Sequence, residues 1–354
     1  MRVLVTGSNG YIGSVLVPWL LAEGHRVVGM DSRLFAHCSL GSSSQEFEER
    51  VIDVRDLEVS DLKGFDSVCH LAALSNDPLG NLNPGLTEEI NFRASVRLAQ
   101  LAKAAGVGRF VFSSSCSLYG AAGDGFLTEG AALAPITPYG ASKADTERAV
   151  TELADKSFSP IFLRNATAYG ASPRLRLDLV INDFVASACL YGRIEIRSDG
   201  TPWRPVVHVE DICRAFAAVL VAPREAVHNQ AFNVGRTDEN YRVSELAEIV
   251  RETVPGSVVE YAADGGPDLR CYRVDCGEFS RQVPMYKPRW NVRRGAEQLI
   301  DAFRRSPLTV NDLKQNRFMR LPVLRQLMES GTVDGDLRRC GIGNATSQPV
   351  GVGS

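Results

Sequence analysis

Residues 2–13 read Arg-Val-Leu-Val-Thr-Gly-Ser-Asn-Gly-Tyr-Ile-Gly, and this stretch decides the fold. A β-type run, RVLVT at 2–6, leads straight into Gly7, Gly10 and Gly13. A helix-like segment follows, with apolar Val15, Leu16, Trp19, Leu20 and Leu21. Three glycines between a strand and a helix permit a tight turn, close approach of a pyrophosphate and close helix–strand packing. The helix N-terminus adds backbone N–H donors and a partial positive charge. The spacing is Gly-x-x-Gly-x-x-Gly, and its place after a strand and before a helix gives it weight. Gly7, Gly10, Tyr11, Ile12 and Gly13 are therefore assigned to a dinucleotide.

Working outward, apolar runs at 26–30, 67–71, 109–113 and 160–163 alternate with helical stretches such as 87–105 and 138–153. Continuous apolar runs suit strands buried on both faces. The alternation predicts an α/β fold, a Rossmann-type doubly wound parallel sheet. After residue 165 the rhythm loosens. Strands are expected at 193–197 and 230–234, and helices at 179–191, 209–221 and 243–253. The expected organisation is a nucleotide-binding domain at 1–165, with about 205–235 returning to it. A smaller C-terminal α/β substrate lobe covers 166–330, and 341–354 is a disordered tail.

Asp31 ends the second strand, where a carboxylate accepts hydrogen bonds from the adenosine ribose and repels a 2′-phosphate. This favours NAD over NADP, although Arg33 lies nearby. Asp53 and Val54 are candidates for the adenine.

Among 354 residues, 44% are hydrophobic and 23% charged, so a largely disordered chain is excluded. A net charge of −3 leaves no basic footprint for nucleic acid. No apolar run is long enough to span a bilayer. A strand starting at residue 2 argues against a secretory signal. Eight scattered cysteines without a Cys-x-x-Cys pair suggest reduced thiols in a cytoplasm. No metal site is expected.

Thr137-Pro138-Tyr139-Gly140-Ala141-Ser142-Lys143 opens a helix, with Thr137 as N-cap and Pro138 at the first position. Tyr139 and Lys143 share a helix face. A nearby ammonium, with the positive ring of an oxidised nicotinamide, would favour the phenolate and make Tyr139 a base. Ser113-Ser114-Ser115 ends the fourth expected strand, at the sheet edge where ligands bind. A hydroxyl there can hold the substrate oxygen.

TGSNGYIG at 6–13, HLAALS at 70–75, SSSCSLYG at 113–120, YGASK at 139–143 and RPVVHVED at 204–211 together resemble the extended short-chain dehydrogenase/reductases. Within these the chain is similar to the nucleotide-sugar epimerase and dehydratase group, over roughly residues 1–305. The resemblance implies Ser115 as catalytic hydroxyl, Tyr139 as acid/base and Lys143 at the nicotinamide ribose. It places Ala72, Ala73 and Leu74 at the cofactor, with Asn91 supporting them. It places Ser75, Ser115, Thr167, Asn182, Arg204 and Arg270 at the nucleotide sugar. It also implies a homodimer through helices 87–105 and 138–153.

Departures separate subfamilies. Sugar 4,6-dehydratases of this kind carry Asp-Glu where this chain has Cys116 and Ser117, so their usual eliminating acid and base are missing. Thr167 replaces a common asparagine, and Gly265 an arginine that Arg270 compensates. Cys116 reads as a packing residue, with catalysis at a second sugar carbon as the alternative. The expected activity is NAD-dependent epimerisation of a nucleotide sugar through a transient 4-keto sugar, with C4 inversion leading. A dehydrogenase, a 4-ketoreductase and a dehydratase share its first half-reaction. A non-catalytic dinucleotide sensor or scaffold is the reading from another class.

Overall fold

The computed structural model describes residues 1–41, 46–263 and 270–340. Its central sheet has seven strands: β1 (Arg2–Thr6), β2 (Arg26–Asp31), β3 (Glu48–Val51), β4 (Ser67–His70), β5 (Arg109–Ser115), β6 (Ser159–Asn165) and β7 (Gln230–Val234). All neighbours are parallel, in the order β7-β6-β5-β4-β1-β2-β3. β4 and β6 are buried along their whole length, which explains the apolar pair Val68–Cys69 and the apolar run Pro160–Leu163. From β1 the strand order runs one way through β2 and β3 and the other way from β4. The crevice at such a switch point lies beyond the strand C-termini.

Helices of ten or more residues are α1 (Gly13–Ala22), α2 (Ala94–Ala104), α3 (Pro138–Thr151), α4 (Val180–Tyr191), α5 (Val209–Val221), α6 (Val243–Thr253), α7 (Val292–Arg305) and α8 (Arg320–Glu329). Alternation along β1 sorts them. Val3 and Val5 face Leu16 and Leu20 of α1 and Phe216 of α5, whereas Leu4 faces Leu98 of α2 and Val150 of α3. This is the doubly wound sheet expected from the sequence. A second core joins α4, α6 and α7 through Phe184, Leu246 and Leu299. Beside it lie the three-stranded sheet of Thr167–Tyr169, Trp203–His208 and Asn240–Arg242 and the pair Arg193–Ile196 with Val258–Tyr261.

Two local expectations change. The helix expected over 87–105 is broken into Pro84–Thr87, a π-helical turn at Glu88–Arg93 and then α2. That wide turn buries Ile90 and Asn91, a local use of π geometry common near functional sites. Residues 306–340, which showed no motif, form a short helix at Val310–Lys314, then α8 and a β-bridge between Val333 and Arg339. The tail expected at 341–354 and Gly265 lie outside the described residues.

Candidate active site

The glycine-rich turn sits at the β1–β4 switch point. Gly7 has φ +73°, and a Cβ there would lie 2.7 Å from the Ala72 nitrogen. A Cβ on Gly13 would overlap the Gly7 carbonyl and come within 2.8 Å of Ser8 Cα. Gly10 N–H donates to the Gly7 carbonyl at 3.0 Å, closing the turn. No side chain caps α1, so its first turn presents backbone donors to the crevice. Tyr11 and Ile12 line the same crevice, and the Tyr11 hydroxyl donates to the Gly170 carbonyl at 2.7 Å.

Asp31 accepts the Asn9 N–H at 2.9 Å and the Arg33 N–H at 2.6 Å, while burial raises its pKa. Glu49, from β3, stands beside it. Its carboxylate takes the Ser8 hydroxyl at 2.9 Å and Arg33 Nε at 2.8 Å. The arginine that kept NADP open is thus engaged by a carboxylate. A 2′-phosphate would meet two acidic groups, so these residues fit NAD. Asp53 and Val54 also line the crevice, and Asp53 is held by Arg55 at 2.7 Å. Asn91 pins the Ala72–Ala73–Leu74 wall by accepting Leu74 N–H at 2.8 Å and donating to Leu74 C=O at 3.0 Å.

One cleft of about 1040 Å³ runs from this turn past the end of β5 into the second lobe. Ser115 ends β5, and its oxygen accepts the Ser117 N–H at 3.2 Å and the Ser117 hydroxyl at 2.9 Å. Tyr139 stands in the first turn of α3, capped by Thr137, which accepts Gly140 N–H at 3.1 Å. Lys143 Nζ donates to the Ser113 carbonyl at 2.7 Å and lies 4.5 Å from the Phe112 ring centroid. Ser115, Tyr139 and Lys143 therefore share one wall of the cleft.

Burial pushes the Tyr139 phenol up to about 12, outweighing its hydrogen bond with Ser115 and the nearby Arg176. Burial also draws Lys143 down to about 7, against the pull of Glu147. Within the chain, desolvation thus outweighs the charges around Tyr139, so a phenolate there depends on the added positive charge of an oxidised nicotinamide.

On the second lobe, Arg204 is buried and donates to the Trp203 carbonyl at 2.8 Å and to the Arg270 carbonyl. Arg270 pairs with Asp77 at 2.6 Å, and Asp77 also accepts the Thr137 hydroxyl at 2.6 Å. Thr167 and Ser75 line the cleft. Asn182 does not. It is fully buried, its side chain bonded to Gly170 N–H at 2.9 Å and to the Arg176 carbonyl at 3.0 Å. Its helix, α4, packs inward, so this asparagine supports the cleft from behind. Cys116 is also fully buried, its thiol directed to the Arg164 carbonyl at 3.1 Å, and burial raises its pKa far above the ordinary value. That geometry is packing.

The sequence reading missed Arg176, Asp178 and Asp77. Arg176 donates to Ser75 Oγ at 3.2 Å and pairs with Asp178 at 2.9 Å, and Asn76 holds Asp178 at 2.7 Å. For Arg176 and Asp178, the charges alternating with leucines at 174–178 were the available signal.

A parallel sheet, a glycine-rich turn at its switch point and a Tyr-x-x-x-Lys helix on the same cleft define a NAD-dependent α/β enzyme. Comparison with known proteins narrows the class. Residues 3–235 match the NAD dependent epimerase/dehydratase family, and the chain belongs to it. It is 30% identical over 319 residues to the UDP-glucose 4-epimerase of Mycolicibacterium smegmatis, covering 86% of this chain and 99% of that protein. The UDP-glucose 4-epimerase of Neisseria meningitidis serogroup A is 28% identical over 331 residues, covering 85% and 95%. Among solved structures, MoeE5 in complex with UDP-glucuronic acid and NAD superposes with TM-score 0.75 at 30% identity, covering 86% and 100%. DesIV, a dTDP-glucose 4,6-dehydratase from Streptomyces venezuelae, superposes with TM-score 0.75 at 27% identity, covering 86% and 97%. The cofactor is NAD, and the relatives include both epimerases and dehydratases.

Proposed function

We propose that the protein is a nucleotide-sugar epimerase that inverts C4 through a transient 4-keto sugar. Residues 1–165, with 205–235, hold NAD, and 166–330 grip the nucleotide sugar. Gly7, Gly10 and Gly13 admit the pyrophosphate, Asp31 takes the adenosine ribose, and Lys143 takes the nicotinamide ribose. Bound NAD supplies a hydride acceptor, a hydride donor and a positive charge. With that positive charge lowering its raised pKa, Tyr139 takes the C4 hydroxyl proton as the phenolate and later returns it. The Ser115 hydroxyl steadies the developing carbonyl oxygen. Arg204 and Arg270 hold the diphosphate while the sugar turns about it. The roomy cleft leaves space for that turn, which would present the opposite face of the sugar carbonyl.

One observation carries the epimerase over the dehydratase. Beside Ser115, Cys116 is turned into the core and Ser117 offers only a hydroxyl, where elimination calls for a carboxylic acid and a base. The test is incubation of the purified protein and NAD with UDP-glucose and other nucleotide sugars. C4 scrambling with no accumulated NADH is expected. Stoichiometric NADH would favour a dehydrogenase, and a 4-keto-6-deoxy product would favour a dehydratase. We also propose a cytoplasmic homodimer that pairs through the 87–105 and 138–153 segments. A monomer by light scattering would exclude that pairing.

A further inference from the structure

The family resemblance ends near residue 305, yet the chain continues as an ordered strap across the cofactor end of the cleft. Leu324, Val333 and Leu337 of the strap pack with Leu74 and Leu79 after β4 and with Leu34 and Phe35 after β2. Arg338 pairs with Asp56 at 2.5 Å, and Arg339 Nε donates to the Ser32 carbonyl at 3.0 Å. The strap thus bridges the two loops that flank the glycine-rich turn. Met319, Arg320 and Leu337 bring it into the cleft wall.

Arg320 is the unexplained group. It is 2% exposed. Its Nη2 donates to the Arg174 carbonyl at 2.9 Å, and the guanidinium lies 4.8 Å from the Phe35 ring centroid. Its Nη1 is buried without a hydrogen-bond partner among the described residues. Arg174 contacts the glycine-rich turn itself, donating to Asn9 Oδ1 at 2.6 Å. The neighbouring Asp178 is already engaged by Arg176. The Asp31 and Glu49 carboxylates act on Arg174. Arg174 and Arg176 add like charge around Arg320, against the Asp178 carboxylate that Arg176 already engages. Burial lowers Arg320 only to about 10, so it is a cation at neutral pH. A buried, unpaired guanidinium is costly unless an anion completes it. The anion that belongs at a glycine-rich turn is a pyrophosphate.

We propose that Arg320, delivered by the C-terminal strap, is a ligand for the pyrophosphate of NAD, and that the strap retains the cofactor between turnovers. The test uses the full chain stripped of nucleotide, with Arg320→Gln and Arg320→Lys. Each is titrated by calorimetry with NAD, ADP-ribose and UDP. The glutamine variant should weaken NAD and ADP-ribose alike, by about tenfold to hundredfold, the range of a charge-assisted hydrogen bond. Lysine should recover part of the loss, and UDP should bind as before. Unchanged NAD affinity overturns the assignment. So does a loss confined to UDP, which would place Arg320 at the substrate diphosphate. Arg338→Ala, at an exposed ion pair, tests the strap independently of Arg320. Several-fold faster NAD release is expected, and an unchanged release rate overturns the retaining role.

Discussion

Glu147→Gln tests the packing that holds α3, and with it Tyr139 and Lys143, against the sheet. The Glu147 carboxylate accepts Arg164 Nη2 at 2.7 Å, Arg164 Nε at 3.1 Å and the Ser114 hydroxyl at 2.5 Å. The two charged side chains are only 5% and 8% exposed. Glutamine keeps the shape but removes the charge, leaving the guanidinium uncompensated. Breaking a buried pair in this way costs about 3–5 kcal/mol. Unfolding entropy of about 2.1 cal/mol/K per residue gives roughly 0.74 kcal/mol/K for this chain, so Tm should fall by about 4–7 °C. A second readout separates function from stability. Glu147 lies one turn from Lys143 and raises its pKa against burial, which draws it to about 7. Without that charge the ammonium loses its proton at lower pH, so the alkaline limb of kcat/KM moves down the pH scale. Calorimetry and a pH–rate profile measure the two effects. A Tm within about 1 °C of the parent, with an unmoved limb, would refute the reasoning. Adding Arg164→Met should restore much of the stability, because a matched apolar replacement removes both desolvation costs.

Other expectations follow from single contacts. Tyr139→Phe should lower kcat by about 10²–10⁴-fold while NAD titration stays unchanged, and a cellular role that survives it would favour a scaffold. Gly13→Ala forces a carbon against Gly7 and Ser8 backbone. It should weaken NAD binding and lower Tm, and parent-like affinity in a folded variant would count against the tight turn. Asn91→Ala strands both backbone polar groups of Leu74, at about 1–3 kcal/mol each. Denaturant unfolding should show that loss, with weaker NAD binding. Asp31→Asn combined with Glu49→Gln removes two carboxylates near Arg33. The NADP-to-NAD affinity ratio should rise at least about tenfold by titration, since like charges brought together cost several kcal/mol.

What the sequence determined by itself was local. The strand, Gly7, Gly10, Gly13 and the start of α1 lie within one short span, and their meaning follows from backbone sterics that any reader of the chain can apply. Asp31, at the end of a strand, and Tyr139 with Lys143, one turn apart, are legible for the same reason. Tertiary structure alone decided where side chains point after long chain separations. It turned Asn182 and Cys116 into the core, although both sit beside residues that line the cleft. It joined Asp77 to Arg270, and Asn76 to Asp178, across the cleft. It paired Arg33 with Glu49, which set the charge beside Asp31. It also set the balance at Tyr139, because desolvation depends on the whole surrounding fold and leaves no mark in a four-residue spacing. The strap that buries Arg320 shows the same division. No local pattern marks it, since its partners, Phe35 and Arg174, lie far back along the chain and meet it only when the two lobes have packed.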